Sequence, residues 1–353
     1  MTSTPLDKVL ALRPANAATR LGPDCRIPVL NPRDLLTALG GEVGLACIPA
    51  YTPSAIDGIL RASRETDAVV GLACPHPLAD REGAQRFIDM VRDVGEDYRH
   101  RKPLFLQAGP FRVTTSDPRT VELLAGDVFR CVDAGFTLIS IDASTLPIDE
   151  AVSVYLSLTQ AAVERELGIE ITAPIDEDRR APSQLARALL ETLAAQGVLV
   201  QFLRVPGFTY QLEPSPRESW QLDLGLLKAL GEVARAHGAA LSLDDESAAP
   251  ERLALTWLGA GVRKVDPMEA VARIAMSALS PEQAEALRQA SDEARLPPRD
   301  LLASFDPGRS ADERTQLRIE AMTWGVAVDL LGAFGARGSA SRAIDALAHG
   351  RLY

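Results

Sequence analysis

The run TLISID, Thr137 to Asp142, follows a glycine at position 135 and precedes a long stretch of helical periodicity. This short apolar strand followed by a helix is the unit that decides the fold, because it recurs along the chain. Upstream lie VGLACI (Val43 to Ile48), AVVGLA (Ala68 to Ala73) and PLFLQA (Pro103 to Ala108). Downstream follow IEIT (Ile169 to Thr172), VLVQFL (Val198 to Leu203), AALSL (Ala239 to Leu243) and VRKVD (Val262 to Asp266). Strands buried on both faces read as continuous apolar runs, which is what a parallel sheet covered by helices requires. Eight such units predict an α/β fold, a TIM (β/α)8 barrel over residues 25–279. An open doubly wound sheet is the alternative; it normally carries a glycine-rich phosphate fingerprint after its first strand, and none is present. Residues 1–24 read as an N-terminal extension. Residues 280–353 read as extra C-terminal helices, linked through Leu296-Pro297-Pro298 and packing on the barrel or on a partner subunit.

Helix boundaries support this register. Thr52-Pro53 offers a cap followed by proline at the first helical position. Ser280 with Gln283, and Ser310 with Glu313, have capping-box spacing. Gly95, Gly135, Gly168, Gly197 and Gly238 are placed to end helices just before strands.

Composition narrows the function classes. The 353 residues are 46% hydrophobic and 24% charged, enough to build a sizeable core and unlike a disordered or fibrous chain. The net charge is −11, and only Lys8, Lys102, Lys228 and Lys264 are lysines among 37 basic residues. Such an acidic surface argues against nucleic acid or an anionic membrane as the partner. No apolar run approaches the roughly 20 residues of a membrane helix. Met1 to Leu10 lacks a basic-then-apolar signal, and four isolated cysteines show no CxxC spacing, so a reduced cytoplasmic protein is expected.

In a barrel of this kind the chemistry gathers at the C-terminal ends of the strands. Those positions hold Tyr51, His76, Gln107, Asp142, Ser144, Arg204, Asp244, Asp245, Glu246, Ser247, Lys264 and Asp266. The succession Asp244-Asp245-Glu246 is the sharpest feature. It is either a solvated acidic loop or a cluster serving as general base, or as a cation or amine site. Lys264 and Asp266 share strand parity and should point the same way, as a structural pair or with Lys264 as a Schiff-base nucleophile. Arg204 could hold a substrate anion. His76 alone among four histidines falls on a strand-end loop, so a zinc site built from several histidines is not expected.

The segment CVDAGFTLISIDASTLPIDEAV, Cys131 to Val152, resembles the fourth-strand signature of the class II aldolases, the fructose- and tagatose-bisphosphate aldolases. IPVLNPRDLLTAL with VGLACIPAYTPSAIDGILRAS resembles the family's opening unit, and LGAGVRKVDPMEAVARIAMSAL its eighth strand and helix. The resemblance implies a barrel and carbon–carbon lyase chemistry. The family's zinc-binding histidines do not carry over. Gly109-Pro110, Pro206-Gly207 and Asp244-Asp245-Glu246-Ser247-Ala248 stand at the matching places, and Asp266-Pro267-Met268-Glu269 replaces its phosphate-holding loop. Asp142, Ser144, Gly207, Ser247 and Lys264 match the pattern. LGIEITAP (Leu167 to Pro174) and KVDP (Lys264 to Pro267) are also similar to the non-catalytic partner subunit of tagatose-bisphosphate aldolase.

Two functions follow. One is a diverged aldolase-type lyase for a small polar or phosphorylated carbohydrate-like metabolite. Asp244 or Asp245 would be the base and Lys264 or Arg204 the electrostatic partner. Asp142 would act with them in catalysis, and Ser144, Gln107, Glu246, Ser247, Asp266, Tyr51 and His76 would bind substrate. No cofactor is expected, with Mg²⁺ or Mn²⁺ at the acidic trio the only metals considered. The other is a non-catalytic pseudoenzyme or partner subunit. Either is expected as a homo-oligomer, such as a dimer.

Overall fold

The computed structural model describes residues 3–75, 77, 82–174, 182–206, 224–245, 247, 249–294, 298–305 and 311–350. Eight parallel strands form a closed ring in sequential order. They are β1 (Leu45–Pro49), β2 (Val70–Cys74), β3 (Leu104–Arg112), β4 (Leu138–Asp142), β5 (Gly168–Thr172), β6 (Phe202–Pro206), β7 (Ala240–Asp244) and β8 (Val262–Asp266). The open-sheet alternative is excluded, because β1 pairs with β8 through Leu45–Lys264 and Ala46–Val265. Helices α1 (Pro5–Leu10), α2 (Ala15–Leu21) and α3 (Pro32–Leu39) precede the barrel. The strands are followed in turn by α4 (Pro53–Thr66), α5 (Gly83–Asp97), α6 (Pro118–Ala134), α7 (Ile148–Glu164), α8 (Pro182–Ala195), α9 (Leu224–Ala236), α10 (Ala254–Gly259) and α11 (Met268–Met276). Helices α12 (Pro281–Ala294), α13 (Pro298–Leu301), α14 (Glu313–Ala333) and α15 (Ser339–His349) complete the chain. Among the described residues no helix is long and apolar enough to cross a membrane.

Two of the predicted caps form as hydrogen bonds. The Thr52 hydroxyl accepts from the Ala55 N–H at 3.1 Å. Ser280 and Gln283 bond reciprocally, at 3.0 and 3.2 Å. Three expectations need correction. Ser310 lies outside the described residues, and α14 is instead capped by Asp312, whose carboxylate accepts from the Thr315 N–H at 2.8 Å. Gly95 and Gly168 do not end helices: α5 continues to Asp97, while α7 stops at Glu164 and Gly168 is the first residue of β5. A Cβ at position 95 would come within 2.4 Å of the Ile27 side chain, so the glycine serves close packing there.

Both extensions pack on this chain's own barrel. Asn16 in α2 donates to the carbonyls of Val132 and Phe136 at 2.7 and 2.9 Å, tying the N-terminal segment to the end of α6. Helix α14 lies along α4, and the approach is close because of Gly58. A Cβ there would stand 2.5 Å from the Glu320 carbonyl oxygen and 2.9 Å from the Trp324 nitrogen. Arg61 stacks over the Trp324 ring at 5.1 Å, and Trp257 tilts against Phe334 at 6.2 Å. The interior of the barrel is built in tiers. Towards the N-terminal ends of the strands Leu45, Phe105, Leu138, Phe202 and Val262 are fully buried, while the next inward positions along the strands are polar.

Two predictions concern this scaffold. Substituting Gly58→Leu should pry α14 from α4 and lower stability by about 1–3 kcal/mol, read as a reduced denaturation midpoint with detached C-terminal helices on limited proteolysis. His100, just before β3, is fully buried. Burial, with the positive charge of Arg64 next, holds its pKa down to about 3 from the usual 6.5. Below pH 6.5 the unfolded chain takes a proton that the folded one refuses until about pH 3. The stability His100 contributes is therefore complete above 6.5 and is lost as pH falls through that window. His100→Phe should flatten the acid-side decline of unfolding free energy between pH 6.5 and 4 relative to wild type.

Candidate active site

Strand parity sends alternate side chains into the barrel. From β1, β3, β4 and β5 these include Cys47, Gln107, Ser140 and Glu170; from β6, β7 and β8 they include Arg204, Ser242, Asp244, Lys264 and Asp266. All are buried. Lys264 is the centre of the set. Its Nζ lies 2.8 Å from Glu170 Oε2 and 2.7 Å from Asp266 Oδ1, and the Phe202 ring lies 5.6 Å from it. Glu170 also accepts from the hydroxyls of Ser140 and Ser242, each at 2.7 Å, so one carboxylate ties β4, β5, β7 and β8 together across the lumen. Gln107 donates to Asp266 Oδ2 at 3.2 Å, and Cys47 Sγ donates to Gln107 Oε1 at 3.4 Å.

Arg204, level with Lys264 in the strand register, pairs with Asp244 of the next inward layer through a single 2.6 Å contact, with both groups buried. Among the described residues Arg204 Nε and Asp244 Oδ1, both buried, have no hydrogen-bond partner. A shielded donor and acceptor left open side by side are costly unless a bound molecule completes them. At the ends of β4 and β7 the same local device appears twice. Asp142 Oδ1 accepts from the N–H and hydroxyl of Ser144 at 3.2 and 2.6 Å. Asp245 accepts from the N–H and hydroxyl of Ser247 at 3.0 and 2.8 Å. The buried Tyr155 hydroxyl donates to the Thr172 carbonyl at 3.0 Å and accepts from the Ala143 N–H at 3.1 Å, which fixes the backbone beneath Ser144.

The electrostatics follow from burial and from these partners. Burial would discharge Lys264, but Asp266 and Glu170 outweigh it and raise its pKa. Arg204 is likewise pushed down by burial and, on balance, raised by Asp244. Glu170 is raised by burial but lowered overall, because Lys264 and Arg204 hold it ionised. Asp266 moves the other way. Burial and the Glu170 charge raise it to about 6, against the pull of Lys264.

The sequence-predicted residues are therefore only partly assembled. Lys264, Asp266, Gln107, Arg204 and Asp244 converge in the lumen. Asp244 and Asp245 separate, one facing Arg204 and the other turned to Ser247, so the expected acidic trio is not a single carboxylate cluster. A Schiff-base role for Lys264 is corrected: two carboxylates at salt-bridge distance keep it an ammonium, which has no lone pair to attack a carbonyl. Tyr51 lies partly buried against the cluster formed by Ala272, Ala275, Leu287 and Leu302. Its pKa is raised by burial and then by Asp300. His76 and Glu246 lie outside the described residues. Glu170 was missed. Its signal was a lone carboxylate inside the apolar run IEIT, since a charge in a strand buried on both faces must find a partner.

The C-terminal segment reaches this end of the barrel. Arg112 at the end of β3 forms an ion pair with Asp300 of α13. The buried Arg299 lies 3.7 Å from Glu269 of α11. Helix α13 thus bridges the rim between β3 and the start of α11.

With this geometry in place, the chain is similar to solved aldolase structures. The YdjI aldolase from Escherichia coli K12 superposes with a TM-score of 0.56 at 12% identity, covering 87% of this chain and 96% of that one. A protein assigned as a fructose-1,6-biphosphate aldolase from Coccidioides immitis superposes with a TM-score of 0.57 at 16% identity, covering 93% and 99%. No protein-family model and no curated protein matches the chain. The fold is that of an aldolase-type barrel.

The ion-pair centre yields a stability prediction. Lys264→Met leaves Glu170 facing Asp266 with no cation between them and should cost about 3–5 kcal/mol. Adding Glu170→Leu should recover much of that loss, since Asp266 can then take up a proton beside an apolar pair. Urea denaturation of the two variants measures both effects.

Proposed function

We propose that this barrel is an aldolase-type carbon–carbon lyase for a small, neutral, hydroxylated carbonyl compound, and that two buried cations do the electrostatic work. The observation that carries the reading is the open pair Arg204 Nε and Asp244 Oδ1, buried at the carboxyl end of β6 and β7 beside Lys264 and Asp266. Buried charges normally cost more than the apolar residues that could replace them, so their retention at the catalytic end of the fold favours a functional role.

The chemistry is a retro-aldol cleavage. Gln107 positions the hydroxyl of a β-hydroxy carbonyl substrate by donating to its oxygen, Asp244 Oδ1 accepts from a second hydroxyl of the substrate, and ionised Asp266 removes the proton of the first. The carbon–carbon bond then breaks, releasing an aldehyde and leaving an enolate on the other fragment. The negative charge on the enolate oxygen is met by the Arg204 Nε–H, with the Lys264 ammonium adding a fixed positive charge nearby. The proton on Asp266 returns to the enolate carbon, giving the second carbonyl product and regenerating the carboxylate. A general base with a pKa near 6 suits this task at neutral pH.

Among the described residues no imidazole stands at this end of the barrel to hold a zinc centre of the imidazole type. His100 and His237 precede β3 and β7, at the opposite end of the barrel, and His349 closes α15. Gly109 and Pro110 offer no ligating side chain on β3, and the carboxylates of Asp244 and Asp266 already face the cations Arg204 and Lys264, whose charge would repel a metal ion. The acidic residues Asp142, Asp244, Asp245 and Asp266 also outnumber Arg204 and Lys264 here, which disfavours a substrate phosphate in the mouth.

The test is a panel of phosphorylated and unphosphorylated ketoses and hydroxy ketoacids, with aldehyde release measured across pH. Cleavage should favour the unphosphorylated substrates, and kcat/KM should fall as pH drops through about 6, where Asp266 takes up its proton. Asp266→Asn should reduce kcat by roughly 10²–10⁴-fold, the range for loss of a general base, with the folded state preserved by circular dichroism. Full activity in that variant would overturn the assignment.

A further inference from the structure

At the opposite end of the barrel, where the strands begin, a cleft of about 480 Å³ opens between α3, the end of α9 and the starts of β7 and β8. This size lies within the range of small-ligand sites. Two arginines line it, Arg235 from the last turn of α9 and Arg263 from β8. Arg263 points away from the lumen, as its strand parity with inward Lys264 requires. One of its nitrogens, Nη1, donates to the carbonyls of Leu258 and Val262 at 3.2 and 3.1 Å, which anchors the guanidinium at the cleft wall. The Arg235 guanidinium lies over Gly261, where an added Cβ would stand 3.7 Å from Nη2. The floor around them is short of side chains. Gly40, Gly238 and Gly261 all line it, and a Cβ at Gly238 would meet nothing within 4 Å.

The charge arrangement is what needs explaining. This chain carries 48 acidic against 37 basic residues, and other arginines such as Arg61, Arg92 and Arg288 sit beside carboxylates. Among the described residues no carboxylate pairs with Arg235 or Arg263. Their mutual repulsion, after burial, depresses the Arg263 pKa. Two guanidiniums held side by side without a counter-charge, over a floor that leaves room for a guest, form a receptor for an anion.

We propose that the Arg235–Arg263 cleft binds a small phosphorylated or carboxylated metabolite, at a site separate from the lumen and on the far face of the barrel. The anion would take a bidentate contact from Arg235 and a second from the free edge of Arg263, cancelling the repulsion between them. The Thr37 hydroxyl, which already donates to the Arg33 carbonyl at 2.8 Å, lines the same cleft and has lone pairs left for a hydroxyl of the ligand.

The experiment titrates the full-length protein with inorganic phosphate, and separately with citrate, following thermal stability and heat of binding, with chloride at matched ionic strength as control. Saturable stabilisation by one or both anions is expected, beyond that of chloride. Arg235→Gln should weaken binding by about tenfold or more, the worth of one hydrogen bond to a charged group. The double variant with Arg263→Gln should abolish it. Arg235 is exposed, so its substitution should leave the fold intact. Asp266→Asn, which alters the lumen and keeps the fold, should leave phosphate binding unchanged. If chloride stabilises as well as phosphate, the arginines respond only to screening and the proposal is overturned. It is equally overturned if the double variant binds as the wild type does, or if neither anion binds. Persistence of binding in the Arg235 and Arg263 variants together with altered affinity in Asp266→Asn would place the anion in the lumen, against both this site and the preference for neutral substrates.

Discussion

A lysine ammonium with two carboxylates around it, fully enclosed by eight strands, is the constraint from which the rest of this structure follows. Lys264 cannot lose its proton without stranding Glu170 and Asp266, and neither acid can be removed without stranding the lysine. Because these groups come from β5 and β8, three strands apart around the ring, the ion pair also fixes how those parts of the wall face one another across the lumen. The two serines on Glu170 then specify the register of β4 and β7 against the same point. An apolar interior of similar volume could close the ring at lower cost, but it would not single out one arrangement of polar groups.

This centre sets the chemistry available above it. Glu170 is held ionised by Lys264 and Arg204, so it acts as fixed charge, while Asp266 is pushed up towards neutrality by burial and by Glu170 itself. Two neighbouring carboxylates are thereby driven apart in acidity, which is the usual way a site separates a structural acid from one that exchanges protons. The Arg204–Asp244 pair extends the network to the rim and, among the described residues, leaves one donor and one acceptor open. The Asp142–Ser144 and Asp245–Ser247 turns close on themselves, so they shape the rim more than they compete for the lumen.

The extensions serve the barrel in different ways. Helix α14 is clamped to α4 across Gly58, a contact made almost backbone to backbone. Helix α13, by contrast, reaches the carboxyl end of the strands and joins Arg112 to the α11 side through Asp300 and Arg299. The C-terminal segment therefore both braces the outside of the barrel and narrows its mouth.

The strands were legible in the amino-acid sequence because burial on both faces forces an unbroken apolar run, and the helices between them carry their own start and stop signals. Thr52 and Ser280 cap helices through hydrogen bonds within three residues, so local chemistry alone determined them. The candidate site was legible only in part. Position at a strand end selected Lys264, Asp266, Arg204, Gln107 and Asp244, but nothing along the chain said which would meet. Glu170 lies 94 residues from Lys264, and Gln107 lies 159 from Asp266. Asp244 and Asp245 are adjacent in sequence yet face opposite partners, because successive residues at a strand end point to opposite sides. Which charges share the lumen, and hence which are raised or lowered in acidity, was decided only when closure of the ring brought distant strands within hydrogen-bond reach.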